Sequence, residues 1–337
     1  MQNNWPWKTK ITTEDYDSNI IWPKISIVTP SFNQGNFIEE TILSILNQKY
    51  PNLEYIIIDG ASTDNSLKII EKYKSQLHYF ISEKDNGQSD ALVKGFSKAT
   101  GQILNWINSD DILNEYALLN VANAFLNNNI DFMHSRNAII DMQSNLIGYM
   151  PNYIDNLKLR YLYEMPHGQQ SAFFTTEIYN KVLGINPNLS FSMDYELYVK
   201  MHMLNCVSMR FDFLCGSIRS HDNTKTNTLK DIMYIENGVI FRSVLENLGY
   251  YKESKFLKEL GYNSYDLNIK STIKIKKSEI KSMVAEFYKK IMWNYYNCKS
   301  PVTKNLIVRI FMNKPSEIFN LNNLKVLKDS IFFNGIN

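Results

Sequence analysis

The sequence predicts an α/β protein with a mostly parallel central sheet, helices on both of its faces, and a helical C-terminal region. Three observations carry this. Strand-like and helix-like stretches alternate four times between residues 25 and 112, which is the pattern of a parallel sheet built from crossover units. The runs at 25–29 and 55–58 are apolar without alternation, as strands covered on both faces should be. From about Thr228 onward the chain turns Lys-rich with apolar residues at helical spacing.

Residues 1–22 are polar with scattered Trp and read as an irregular arm. A β-branched strand over 25–29 ends at Pro30. Asn36 followed by Glu39 resembles a capping box, and Ile38, Ile42, Ile45 and Leu46 mark the buried face of the helix that follows. A second strand covers 54–58, and Asp59, Gly60 and Ala61 turn the chain. Asp64 or Ser66 can cap the next helix, whose apolar face is Leu67, Ile70 and Tyr73. A third strand covers 78–81. Ser89 and Asp90 open a helix with Leu92, Phe96 and Ala99 on one side, and Gly101 breaks it before a fourth strand over 102–108. Beyond Asp111 the pattern is mixed. It predicts a helix over 117–125, strands over 132–141, 146–149 and 169–174, a short helix over 177–183, a helix over 193–204 and a strand-rich stretch over 207–218. This divides the chain into an arm (1–22), an α/β domain (23–227) and a basic helical region (228–337).

A hydrophobic content of 44% over 337 residues is enough for a substantial core, which excludes general disorder. The net charge is +2, yet residues 264–315 carry 11 Lys/Arg against 3 Asp/Glu, so the remainder is at −6. That balance does not point to nucleic acid. In the basic region Ile280, Met283, Val284, Phe287, Ile291 and Tyr295 recur at helical spacing, opposite Lys281, Lys289 and Lys290. Such a helix packs on the domain with a solvated basic face, or rests on anionic lipid headgroups. Cys206, Cys215 and Cys298 form no C-x-x-C and fit small buried hydrophobes in a reducing compartment. The first residues lack an apolar signal core, and no run reaches transmembrane length. The expectation is a cytoplasmic protein, peripheral on the inner membrane face if it meets a membrane at all.

Four polar clusters stand at predicted strand ends, where open α/β sheets bind ligands. They are T-P-S-F-N-Q (29–34), D-G-A-S-T-D-N-S (59–66), E-K-D-N-G-Q-S-D-A (83–91) and N-W-I-N-S-D-D-I (105–112). Phe32 could offer an aromatic face to a base, and Asp59 could accept from a ring N–H. Lys84, Asp85 and Gln88 are polar groups beside a turn that Gly87 allows. Asp110 and Asp111 either cap the next helix or hold a hard divalent cation. No G-x-G-x-x-G, P-loop or G-x-S-x-G occurs, which disfavours a dinucleotide fold, a P-loop nucleotidase and an α/β-hydrolase.

The four clusters in this order and spacing resemble a family-2 glycosyltransferase of the GT-A fold, collinear over 25–112. The resemblance implies a nucleotide-diphosphate sugar donor and a divalent cation, Mn²⁺ or Mg²⁺. It implies that Thr29, Pro30 and Phe32 line the base pocket, that Asp59 recognises the base, and that Asp110 lies near the ribose and metal with Asp111 as the metal ligand. The family's D-x-D is N-S-D-D here, which leaves open whether Asn108 or Ser109 touches the nucleotide. F-S-M-D-Y-E-L resembles the segment carrying the catalytic base, with Met193-Asp194 in place of the usual Glu-Asp. That makes Asp194 the base and implies inversion at the sugar. I-R-S-H-D-N-T-K-T resembles a C-terminal His loop, with His221 as a metal ligand and Lys225 meeting the diphosphate. P-H-G-Q-Q-S-A-F-F resembles the acceptor-facing segment, with Gln170 as its candidate. The implied reaction moves a sugar, with uridine diphosphate as leaving group, to a glycan or lipid-linked hydroxyl in surface-polysaccharide synthesis. The basic helices would serve a membrane contact or a homodimer. A non-catalytic sugar-nucleotide or glycan-binding protein of the same fold is the alternative. Retention of Asp59, Asp111, Asp194 and His221 together argues against it.

Overall fold

The computed structural model describes residues 9–151, 157–222, 224–263, 265–295 and 301–332. Residues 1–8 of the expected arm and Cys298 lie outside the described residues. Strands β1 (Ile25–Ser31), β2 (Leu53–Asp59), β3 (Tyr79–Ser82) and β4 (Ile103–Trp106) run parallel. Helices α1 (Ile38–Leu46), α2 (Ser66–Tyr73) and α3 (Gln88–Phe96) connect them, as the alternation predicts. The chain continues through β5 (Ile112–Leu113), α4 (Ala117–Asn127), β6 (Phe132–Ile140), β7 (Leu146–Tyr149), α5 (Leu157–Arg160), β8 (Phe173–Thr175), α6 (Thr176–Lys181), α7 (Met193–Met203) and β9 (Ser208–Arg219). The C-terminal helices are α8 (Lys225–Thr228), α9 (Lys230–Asn247), α10 (Tyr251–Glu259), α11 (Lys277–Tyr295), α12 (Pro301–Asn313) and α13 (Leu321–Phe332). One mixed sheet has the order β3-β2-β1-β4-β8-β6-β9-β5, and β7 pairs with β6. The antiparallel β8 lies between β4 and β6, so β6 runs in the same direction as the first four strands.

The sheet is buried on both faces. Ile25, Ile27, Tyr55 and Ile57 point into one apolar cluster, and Val28, Ile56, Ile58 and Trp106 into another. Each fully buried Ile or Val contributes about 1.5–3 kcal/mol relative to exposure, which is why the middles of these strands read as largely apolar runs. The second cluster continues from Trp106 and Tyr198 through Ile240, Phe241 and Val244 of α9 to Ile280, Val284 and Phe287 of α11 and Ile310 of α12. The basic helical region therefore shares its core with the α/β part.

Three local expectations differ from the structure. The predicted capping box does not form: α1 starts at Ile38 with Phe37 at its cap and no side-chain bond. Instead Asp64 Oδ2 accepts from Gly35 N–H (2.8 Å) and Ser66 Oγ accepts from Gln34 N–H (2.8 Å), so Asp64 ties two loops together as well as bonding Ser66 N–H. The strand expected over 169–174 shortens to β8, preceded by a 3₁₀ turn. There the segment bonds sideways to β4, with Asn105 Nδ2 donating to Gln170 C=O and Gln169 Nε2 donating to Asn105 Oδ1. On α11 the basic face is largely consumed within the protein. Lys289 pairs with Glu286 and Glu317, and Lys290 pairs with Glu164. Among the described residues no helix is long and apolar enough to cross a membrane. Cys206 and Cys215 are buried free thiols, in keeping with small core hydrophobes.

Candidate active site

The carboxyl ends of β1, β2 and β3 align in register, Ser31 beside Asp59 and Asp59 beside Ser82. Asp59 is fully buried at this edge and already engaged: Oδ2 accepts from Ser62 N–H (2.9 Å) and Ser82 Oγ (2.6 Å), and Oδ1 from Ser62 Oγ (2.5 Å). These bonds lock the carboxylate's orientation at the strand end. Of the first cluster, Phe32 is 59% exposed and presents its ring to solvent. Thr29 and Pro30 do not line an open wall. Both are buried within β1, and the Thr29 hydroxyl bonds the Tyr55 hydroxyl (3.1 Å) inside the core. Lys84 is exposed on the next loop. Asp85 Oδ1 accepts from Gly87 N–H (2.9 Å), and Gly87 has φ +107°, which only glycine adopts without strain. Gln88 then opens α3 and donates from Nε2 to Asn108 Oδ1 (2.7 Å).

The turn after β4 separates its two aspartates. It closes with Asp111 N–H donating to Asn108 C=O (3.0 Å). Asp111 points inward and is 3% exposed. Its Oδ1 accepts from Arg219 N–H (2.9 Å), and its Oδ2 accepts from Asn108 Nδ2 (3.1 Å) and Gln170 Nε2. Burial first, and the charge of Asp110 second, push its carboxyl well above the usual range. Asp110 stays partly exposed, and its Oδ2 lies 3.2 Å from His221 Nε2. The two carboxylates thus differ in their surroundings. The oxygens of Asp111 are held by protein donors, while Asp110 is the carboxylate beside the histidine.

His221 is placed from beneath. Its ring stacks on Phe37 (centroids 5.1 Å apart), and the Arg219 guanidinium lies over the same ring (4.9 Å). Arg219 ends β9, and its side chain is completely buried. It donates to Asp110 C=O (2.8 Å), Asp141 C=O (3.0 Å), Ser144 Oγ (2.9 Å) and Glu40 Oε2 (2.5 Å). One side chain therefore joins the turn after β4, the β6–β7 hairpin and α1. Two ligands of a six-coordinate cation with bonds of about 2.1 Å stand about 3 Å apart, close to the 3.2 Å between Asp110 Oδ2 and His221 Nε2. The pair suits a divalent cation completed by diphosphate oxygens and water. Among the described residues no group of three His, Cys, Asp or Glu converges on such a point.

Asp194 occupies the first turn of α7, where helix N–H groups and the macrodipole favour a carboxylate. Its Oδ1 accepts from Tyr195 N–H (2.7 Å). The surrounding protein nevertheless wins: burial pushes its carboxyl up to about 6, against the smaller downward pull of the helix N–H groups and of Lys225. Lys225 Nζ donates to Gln88 Oε1 (2.7 Å) and Ser190 C=O (2.8 Å). Burial lowers its own pKa, partly offset by Asp194 and Glu236. A polar chain thus runs from Asp111 through Asn108, Gln88 and Lys225 to the loop before Asp194.

The glycosyl transferase family 2 profile matches residues 26–187, from β1 through α6. This segment belongs to glycosyltransferase family 2. An uncharacterised glycosyltransferase of Rickettsia typhi is 25% identical over 280 residues, 76% of this chain and 87% of that one. The poly(ribitol-phosphate) β-N-acetylglucosaminyltransferase TarS of Staphylococcus aureus is 30% identical over 125 residues, 36% of this chain and 21% of that one. The structure of TarS residues 1–349 with UDP-GlcNAc superposes with a TM-score of 0.60 at 15% identity, covering 92% of this chain and 89% of that one. A mannosyltransferase of Pyrobaculum calidifontis with GDP-Man and Mn²⁺ superposes with a TM-score of 0.51 at 14% identity, covering 93% and 88%. At such identities the structural likeness establishes the fold, which is GT-A with additional C-terminal helices.

Hydrogen bonds join Gln88, Lys225 and the loop before Asp194, and Asp110 meets His221 at the adjoining turn. Gln170 is not among them. It is 4% exposed, and its amide supports Asp111 from below; Gly216 permits this, because a Cβ there would stand 2.5 Å from Gln170 Cβ. Sequence reasoning missed Arg219, Glu40 and Glu236. An arginine closing the strand two residues before His221 was a usable signal. Glu40 and Glu236 carry none, because their partners are distant in the chain.

Proposed function

We propose that this glycosyltransferase moves a sugar from a nucleoside-diphosphate donor, a UDP-sugar, to a hydroxyl of a glycan or lipid-linked acceptor, with inversion. The observation that supports it most is Asp194, a partly exposed carboxyl at the cleft, linked through Lys225 and Gln88 to the turn that carries Asp110. The acceptor O–H gives its proton to the Asp194 carboxylate, and the oxygen bonds the anomeric carbon. The bond from that carbon to the diphosphate breaks, and its electron pair leaves with the nucleoside diphosphate. Attack opposite the leaving group inverts that carbon. Phe32 offers its exposed ring to the base, and Asp59 is held by two serines to receive a ring N–H. Lys84, Asp85 and Gln88 border the nucleotide, with Lys225 toward the diphosphate. Asp110 and His221, rather than Asp111, would hold the divalent cation. When bound, that cation offsets the charge growing on the leaving diphosphate.

UDP-GlcNAc in the TarS structure supports a uridine donor, and the poly(ribitol-phosphate) in that enzyme's name supports a polymeric acceptor hydroxyl. The deciding experiment is release of nucleoside diphosphate from a panel of sugar nucleotides with and without Mn²⁺. Turnover confined to one donor is expected. A protein that binds a sugar nucleotide and never turns it over would be a binding protein of this fold. The cation assignment has its own check, because a ligand bound only by the folded state raises the melting temperature. Mn²⁺ should enlarge the shift produced by UDP in the wild type. Asp110→Asn should abolish that enlargement, and an unchanged Mn²⁺ effect would return the ligand role to another residue.

A further inference from the structure

We propose that Glu236, on α9, is a positioning residue for the catalytic base, so that the C-terminal helices complete the active site. The inference rests on Asp194 acting as that base. Glu236 Oε1 accepts from Ser190 N–H (2.7 Å), and Oε2 accepts from Phe191 N–H (3.0 Å) and Ser192 N–H (2.6 Å). Three consecutive amides therefore converge on one carboxylate from an element more than forty residues away. Bonds from neutral donors to an ionised acceptor are roughly twice as strong as neutral ones. The next residue, Met193, starts α7, and Asp194 is its second residue.

The same loop is held from the other side. Ser190 C=O accepts from Lys225 Nζ (2.8 Å), and Lys225 also bonds Gln88 at the start of α3. Glu236 itself stands on a firm base, because Ile240, Phe241, Val244 and Leu245 seat α9 in the core that contains Trp106 and Tyr198. A shift of α9 would move the amides at 190–192 and the carboxyl of Asp194 with them. Misplacing a reacting group by about 1 Å can cost on the order of 10²-fold in rate. Two charged groups from the C-terminal part face Asp194: Lys225 of α8 favours its ionised form, and Glu236 of α9 disfavours it.

The test compares Glu236→Gln and Glu236→Asp with Asp194→Asn in the full chain. Glutamine keeps the size of the side chain but sets an NH₂ against the amides. It should lower kcat by about 10- to 100-fold while donor KM stays within about threefold, a change that corresponds to under 1 kcal/mol of binding. The acid limb of the pH profile should move to lower pH as the Glu236 charge is lost. Aspartate retains the charge on a shorter arm and should recover part of kcat. Hydrogen exchange gives a readout independent of activity, with protection of the amides at 190–192 lost in Glu236→Gln. A folded Glu236→Gln protein with wild-type kcat, or with unchanged protection of those amides, overturns the proposal. So does an equal loss in kcat and donor binding. A fully active Asp194→Asn would instead overturn the base assignment, and the exchange measurement would still decide whether the clamp exists.

Discussion

Asp194→Asn is expected to lower kcat by about 10²- to 10⁴-fold, the usual worth of a positioned general base, or about 3–5 kcal/mol of barrier. Asparagine preserves the shape of the side chain and the bond from Tyr195 N–H. Donor affinity should therefore hold, and the loss should appear in kcat. The pH dependence follows from the same carboxyl. Burial raises it to about 6, and a base acts only when ionised. Because the folded value lies above the ordinary carboxylate value, activity is complete at neutral pH and falls as pH drops through about 6, approaching tenfold per unit below it. Lys225→Met removes a cation that holds the value down, so its acid limb should move to higher pH. Wild-type turnover in Asp194→Asn, or a profile that stays flat from about pH 7 to pH 5, would remove Asp194 from the base role.

The alternation of strands and helices was legible because its cause is local: a strand buried on both faces must be almost wholly apolar, as 25–28 and 55–58 are apart from Ser26, whose hydroxyl bonds Glu54. The strand-end clusters were legible for a related reason, since only residues past the last sheet contact escape the core. Which member of a cluster faces the cleft was not legible. Asp110 and Asp111 are neighbours in a turn, so their side chains diverge, and the direction of each depends on Arg219 and Gln170, which arrive from β9 and from the segment before β8. Thr29 and Pro30 lie deeper than a strand ending at the proline would put them. The strand extends through Ser31, one residue past the proline, so both remain inside the sheet. Gln170 was an acceptor candidate only through the family resemblance of its segment. Its partner is instead a buried carboxylate that the sequence placed fifty-nine positions away.

Arg219→Met should be the most damaging change outside the reacting groups. The guanidinium has four partners from three segments and no solvent contact. Methionine fills much of the space but leaves Glu40 without its cation and the Asp110 carbonyl without the guanidinium, while Asp141 C=O keeps Ser144 N–H and Glu40 keeps the Ser144 hydroxyl. Removing one member of a buried ion pair costs about 3–5 kcal/mol. Glu40 remains 28% exposed and can recover some hydration, which places the expectation near the lower end, about 3 kcal/mol. For a chain of this size that is a fall of several degrees in melting temperature, at roughly 2–4 °C per kcal/mol. Arg219→Lys should recover little, because an ammonium cannot span the fork of partners or lie flat on Phe37. The functional consequence is separable from the loss of stability. Phe37 and Arg219 together set the plane of His221, so at a temperature where the variant is still folded the Mn²⁺-dependent part of UDP stabilisation should vanish while UDP alone still binds. If the folded variant kept its full Mn²⁺ effect, Arg219 would be a structural clamp alone, and the cation would owe nothing to the placement of His221.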